Sequence, residues 1–392
     1  MFIPERVVIC DKARLTGAGY RQVSGFEDAS GRPVRLLPHK VMQGLAGEDA
    51  VVERTAFNDI VTGLQERGYT VYGTVNEKGA GIFRPLGDAG ELSLRCTGGT
   101  LPPKYLWYPP FETLFTYNRQ TGEFHTDIEQ TRHAVFGIRP CDVHALLALD
   151  EVFLGGEYRD LYYRARRVDL PLVVFNCVES GDTCFCSSMG TGPGLDHDYD
   201  LLITDLGSSN GKEGERFLLE VGSSRGGELA RGLRGEAVVD EDYQVKKRRL
   251  QETAAGARIT LNTEDLPRLM HDGHDHPYWR EVTDKCFGCA NCTSVCPTCY
   301  CADIFDETDF SLRETKRKRR WSWCFLVEFG AVHGGNFREE RIDRLRQFMQ
   351  HKLNFSIGQY GFFHCVGCGR CIVWCPANID IAQTGRAIRG DA

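Results

Sequence analysis

The sequence predicts an α+β chain in two parts, an α/β half at the N-terminus and a mostly helical half at the C-terminus. Three observations predict it. Apolar segments of strand length alternate with a helical pattern over roughly the first 230 residues. A charged helical stretch comes next. The last hundred or so residues then carry two cysteine runs of one pattern with a helical segment between them. The expected boundaries are residues 1–235 for the α/β domain, 236–283 for a helical linker and 284–392 for the cysteine-rich domain.

Taken in order, Ala56 to Gly68 reads as a short amphipathic helix, with Phe57, Ile60, Val61 and Leu64 on one face and Gly68 as its stop. The β-branched and aromatic segment 69–75 suits a strand. Leu101 to Pro110 reads as extended and loop-like, because its prolines remove donors and constrain their predecessors. Ala134 to Ile138 is an apolar strand, and a helix follows from about Val143 with Asp142 placed to cap it. Leu170 to Phe175 and Tyr199 to Asp205 read as further strands, so Cys141 and Cys177 both stand at strand ends. Glu241 to Ala255 is helical, with Lys246 to Arg249 on a solvated side. The three histidines of residues 271–276 lie before Pro277 on no regular helix, which favours a polar turn over a metal box. Glu339 to Leu353 reads as a long helix, preceded by the basic run Lys316 to Arg320 and by Trp321 and Trp323.

Composition narrows the class. A hydrophobic fraction of 42% and a charged fraction of 26% are those of a soluble globular protein. The net charge of −7 argues against a nucleic-acid binder, although the basic run could dock an acidic partner subunit. There is no apolar run long enough for a membrane span and no secretory signal pattern, so a cytoplasmic setting is expected. In such a setting, seventeen cysteines point to metal binding rather than to a disulfide scaffold.

The cysteine runs read Cys286-x2-Cys289-x2-Cys292-x3-Cys296-Pro297 and Cys365-x2-Cys368-x2-Cys371-x3-Cys375-Pro376. Such a run holds a [4Fe–4S] cluster, and in two-cluster proteins its fourth cysteine ligates the other cluster. The expected first set is therefore Cys286, Cys289, Cys292 and Cys375, and the second Cys296, Cys365, Cys368 and Cys371. The fourth cysteine of each run is expected at a helix start, and the small residues Gly288, Ala290, Gly367 and Gly369 should let backbone N–H groups reach the sulfurs. Paired CxxC motifs also hold zinc, but zinc sites use four ligands in two pairs, whereas each run here has four cysteines and a trailing proline. The domain thus reads as a two-cluster, ferredoxin-like module, mostly helical, with an insert too long for a compact bacterial ferredoxin.

Other cysteines form a second constellation. If the strands before Cys141 and Cys177 are neighbours, these two could converge with Cys184 and Cys186 on a third [4Fe–4S] cluster, although Cys184-Phe-Cys186 is a tight spacing for a ligand pair. The alternative is a set of thiols without metal. Cys299, Cys301 and Cys324 do not complete a cubane and fit supporting roles beside the clusters; Cys10 and Cys96 read as packed core thiols. No P-loop, strand-linked GxGxxG, nucleophile elbow or HExxH is present, and Gly17-Ala-Gly19 is too weak for a dinucleotide site. No catalytic residue is assigned, so the simplest reading is an electron conductor; a redox-sensing iron–sulfur protein is the alternative from another class.

Several phrases carry a resemblance: Arg139-Pro-Cys141-Asp; Cys177 followed by Thr183-Cys-Phe-Cys-Ser-Ser-Met-Gly-Thr191; Cys296-Pro-Thr-Cys-Tyr-Cys301; Trp323-Cys324; His333-Gly-Gly-Asn-Phe-Arg338; His351-Lys352; and Cys365-Val-Gly-Cys-Gly-Arg-Cys371. Together they resemble the iron–sulfur β subunit of sulfhydrogenase-type, NAD(P)-linked [NiFe] hydrogenases (group 3), and the related A subunit of anaerobic sulfite reductase. The resemblance implies a subunit that relays electrons between a flavin subunit, which carries FAD and binds NAD(P), and a catalytic subunit holding either [NiFe] or sirohaem. Ile379-Asp380-Ile381 leans towards the hydrogenase branch.

Overall fold

The computed structural model describes residues 48–78, 80–94, 101–126, 128, 131–207 and 215–391. Cys10, Cys96 and Gly17-Ala-Gly19 lie outside the described residues. The strands are β1 (Ala50–Glu53), β2 (Thr70–Glu77), β3 (Ala80–Pro85), β4 (Phe111–Asn118), β5 (Phe124–His125), β6 (His133–Ile138), β7 (Leu172–Phe175), β8 (Leu201–Gly207), β9 (Arg216–Val221), β10 (Glu236–Ala237), β11 (Ala302–Thr308) and β12 (Glu314–Trp321).

An eight-stranded mixed sheet has the order β10-β1-β9-β8-β7-β6-β2-β3. Its centre, β2, β6, β7 and β8, is parallel, and β7 is buried along its whole length, as a strand covered on both faces must be. The helix Ala56–Glu66 covers one face with the residues its periodicity predicts; Phe57 meets Phe136, Phe175 and Phe217 with ring centroids 4.9–5.8 Å apart. The helix Pro140–Leu154 covers the other face, burying Val143, Leu146 and Leu149 against Trp107, Tyr108 and Tyr163. Burial of each such side chain contributes about 1.5–3 kcal/mol.

Two local expectations change. Asp142 does not cap its helix: the N-cap is Arg139, Pro140 fills the first turn, and the Asp142 carboxylate turns inward to an ion pair. Pro103–Leu106 is a short 3-10 turn instead of extended chain, and Lys104, Trp107 and Tyr108 within this segment are buried.

The insert between the cysteine runs contains a hairpin that periodicity did not reveal. β11 and β12 pair with β4 and β5 in a second, four-stranded antiparallel sheet, so the insert is tied to a strand far earlier in the chain. The basic run lies on β12 because acids stand opposite or diagonal to it on β11. Arg317 pairs with Asp306 at 2.7 Å, Lys318 with Glu307 at 2.6 Å and Arg320 with Asp303 at 2.8 Å. Arg319 is buried between Glu112 and Asp160, and Glu112 also takes Arg166 at 2.9 Å. Most of the charge expected to meet a partner is met within the chain.

Helices Asp240–Ala255, Leu266–Asp272 and Tyr278–Lys285 lead into the cysteine-rich part. The histidine string forms the turn between the last two, where His276 Nδ1 accepts from the Tyr278 N–H and the Trp279 indole donates to Gly273 O. The expected helix after Glu339 runs Arg341–Gln350, widens into a π-type turn over His351–Phe355 and continues as Ser356–Tyr360. Among the described residues, no helix is long and apolar enough to cross a membrane.

Candidate metal centres

The two cysteine runs fold alike, down to single backbone angles. Gly288 and Ala290 in the first, and Gly367 and Gly369 in the second, all have positive φ between 61° and 72°. Each pair reverses the chain around its first three cysteines and opens a one-turn helix, Asn291–Ser294 or Arg370–Val373. The fourth cysteine then follows the end of that turn, where the sequence pointed to a helix start. Leaving the helix there carries Cys296 and Cys375 away from their own runs.

They arrive at the other run. One cavity is walled by Cys286, Cys289, Cys292 and Cys375, with Phe325, Leu345, Phe348, Met349 and Ile381 among its apolar walls. A second is walled by Cys296, Cys365, Cys368 and Cys371, with Phe185, Val366 and Lys352. Each cavity is thus bordered by the fourth cysteine of the other run. Cys371 borders both cavities. Backbone N–H groups of Gly288 and Ile379 donate to the Cys286 and Cys375 sulfurs at 3.4 and 3.3 Å.

Four thiols around an apolar void, with main-chain donors on the sulfurs, suit an iron–sulfur cubane. A zinc ion would draw its sulfurs to about 2.3 Å. Among the described residues, no three Cys, His, Asp or Glu side chains converge on one ion position.

The other cysteine set also gathers. β6 and β7 are parallel neighbours, so Cys141 and Cys177 leave the same edge of the sheet, its carboxyl end. Gly137 forms a bulge with φ of 84° just before Cys141. Cys186 interacts electrostatically with Cys177, Cys184 and Cys368, and Cys141 with Cys186. Between Cys184 and Cys186, Phe185 lines the wall of the second cavity. Burial is the main cause that raises the pKa of all four thiols, so a metal centre would displace protons here.

The two halves meet at this point. Arg370, inside the second run, makes a bidentate pair with Asp142 at 2.6 and 2.8 Å, and both are almost wholly buried. Phe185 N–H donates to Gly367 O at 2.8 Å, and the Thr191 hydroxyl to Val366 O at 2.7 Å. A Cβ on Gly369 would stand 2.3 Å from Thr183 O, and one on Gly367 2.6 Å from the Phe185 backbone. These glycines are required by the close approach as well as by their angles.

Cys299, Cys301 and Cys324 lie beside Cys296 rather than around a cavity of their own. The Cys299 thiol is hydrogen-bonded to Cys296, and Cys301 to Cys324. Two lysines to which the sequence gave no role of their own are buried among them. Lys352, on the π-type turn, donates to Thr298 Oγ1 at 2.8 Å; Lys104 donates to Cys296 O and Cys299 O at 3.0 and 2.9 Å and stands 4.3 Å from the Trp321 ring centroid. Burial lowers the Lys104 pKa to about 8, while the nearby thiols, outweighing burial, raise that of Lys352. The Cys324 hydrogen bond holds Cys301 down to about 6.

Two comparisons with known proteins agree with this geometry. Residues 285–379 match the model of a 4Fe-4S dicluster domain. The chain is 33% identical over 328 residues to sulfhydrogenase 2 subunit beta of Pyrococcus furiosus, an alignment that covers 83% of this chain and 93% of that protein. The chain is an iron–sulfur protein with a role in electron transfer, and it belongs to the sulfhydrogenase β-subunit family.

Proposed function

We propose that this chain is the electron-relaying subunit of a multi-subunit, NAD(P)-linked [NiFe] hydrogenase, placed between a flavin subunit carrying FAD and the catalytic subunit. Three [4Fe–4S] clusters would serve it, held by Cys286, Cys289, Cys292 and Cys375; by Cys296, Cys365, Cys368 and Cys371; and by Cys141, Cys177, Cys184 and Cys186. Each such cluster, when bound, takes up and gives off one electron. The relative's name, subunit beta of a sulfhydrogenase, supports the assembly.

The observation that carries the reading is contiguity. Cys371 borders the first two sites, and Cys186 packs with Cys368 between the second and third. The chain's own side chains do three things there. Cysteine sulfurs supply the ligands, Phe185, Val366 and Phe348 keep water from the space between sites, and the Arg370–Asp142 pair fixes the third site against the second. At the far end Cys289 is exposed, beside Phe287, which is 72% exposed. That is the end at which a partner's redox centre could come close.

The test is anaerobic purification of the complex with iron and sulfide counts on this subunit. About twelve irons are expected for three clusters, and Cys141→Ser should remove about four. About eight in the parent chain would eliminate the third site. A native complex lacking flavin or nickel would overturn the assignment of its partners.

A further inference from the structure

The two central cavities have the same ligands but unequal electrostatics. No charged side chain lines the first; its nearest cation, Arg341 beside Cys286, is solvent-exposed and screened. The second is lined by Lys352, and Lys104 lies against the same turn of chain, Cys296 to Cys301. Both lysines are at most 2% exposed, and among the described residues neither has a carboxylate partner. Arg370 is matched by Asp142. The two lysines are therefore buried cations for which the first cavity has no counterpart among its described lining residues.

The hydrogen bonds point the same way. Thr298 Oγ1 donates to His364 O, accepts from Lys352 at 2.8 Å and lies 3.3 Å from the Cys296 sulfur, so it links the lysine to that sulfur. The Cys299 thiol also donates to the Cys296 sulfur. Reduction adds one negative charge to a cluster. In a buried site, a cation and a donor on a ligand sulfur both favour the reduced form.

We propose that Lys104, Lys352 and the Cys299 thiol make the two central clusters unequal, holding the one at Cys296, Cys365, Cys368 and Cys371 at the higher reduction potential. This rests on the reading that both cavities hold [4Fe–4S] clusters, and it gives the relay an energetic step between them. The lysines and Cys299 act through Cys296 and are positioning residues.

The experiment is a redox titration of the full chain with its clusters, followed by electron paramagnetic resonance, for the parent and for Lys352→Met, Lys352→Arg, Lys104→Met and Cys299→Ala. A Cys289→Ser chain marks which signal belongs to the other cavity. Lys352→Met should lower one potential by about tenfold in its reduction equilibrium, which is 59 mV for one electron. Lys104→Met and Cys299→Ala should lower the same signal by less, and Lys352→Arg should restore it. Unchanged potentials in both methionine variants, or equal shifts of both signals, would overturn the proposal. If Lys352→Met does not fold, Lys104→Met and Cys299→Ala decide it by the same criterion. Iron is counted on the parent first: too little for two clusters rejects the underlying reading, whereas two clusters with equal potentials reject this inference alone.

Discussion

The cavity at Cys286, Cys289, Cys292 and Cys375 and its neighbour at Cys296, Cys365, Cys368 and Cys371 are built by one motif on one backbone, yet they face different surroundings. The first is enclosed by its own domain and reaches the surface at Cys289. The second is pressed against the N-terminal half, with Phe185 in its wall, Arg370 tied to Asp142 and two lysines buried beside Cys296. The difference teaches that the motif fixes the ligands, while packing from elsewhere in the chain sets the environment of each cluster.

Substitutions at matched positions can break this contrast. The largest effect is expected from Asp142→Ala, which takes the bidentate carboxylate away from the buried Arg370 guanidinium at a cost of about 3–5 kcal/mol. Thermal unfolding should show a clear drop; a melting temperature equal to that of the parent would deny the pair its role in joining the halves. Next come the equivalent residues Gly369 and Ala290. Gly369→Ala puts a Cβ against Thr183 O at positive φ and should lose at least about 2 kcal/mol. Ala290→Gly, with the same backbone angle, should stay within about 1 kcal/mol of the parent. Equal losses at the two positions would mean that the halves do not press together at Gly369.

A smaller effect depends on pH. Burial raises the Cys368 thiol from its ordinary 9.0 to about 11, so the folded, metal-free chain keeps a proton that the unfolded chain releases. The stability this provides is complete below pH 9 and declines as the pH rises from about 9 to about 11. Melting curves at pH 8 and 10 should therefore diverge for the metal-free chain. The loaded chain has already given up that proton and should lack this slope. Smallest of all is Lys318→Ala on the hairpin, whose half-exposed pair with Glu307 should be worth under about 1 kcal/mol by chemical denaturation. A larger loss would show that the hairpin's ion pairs do more than match charge.

Local order was the most legible part of the chain. Phe57, Ile60, Val61 and Leu64 gave away their helix, and the runs at Ala134 and Leu170 their strands, because periodicity and apolar length report directly on one buried face. The spacing also foretold that the fourth cysteine of each run would lie away from its own three, and each borders the cavity of the other run. The hairpin was not. Its charged residues carry no apolar pattern, and its stability comes from cross-strand partners and from β4, nearly two hundred residues away. Lys104 was hidden for the same reason: among prolines it looks like loop, and only the fold brings it to the Cys296–Cys301 turn. The carboxylate of Asp142 could have been a local cap or a distant partner, and no local signal separates the two.

The exchange of fourth cysteines also sets a schedule for biogenesis. Neither cavity has its full set of thiols until the second run has left the ribosome, because Cys375 closes the first and Cys365, Cys368 and Cys371 supply most of the second. A nascent chain that has exposed only Cys286 to Cys296 can offer three sulfurs to a cubane, with the fourth pointed elsewhere. If the exchanged ligand sets hold, iron–sulfur loading has to follow translation of both runs.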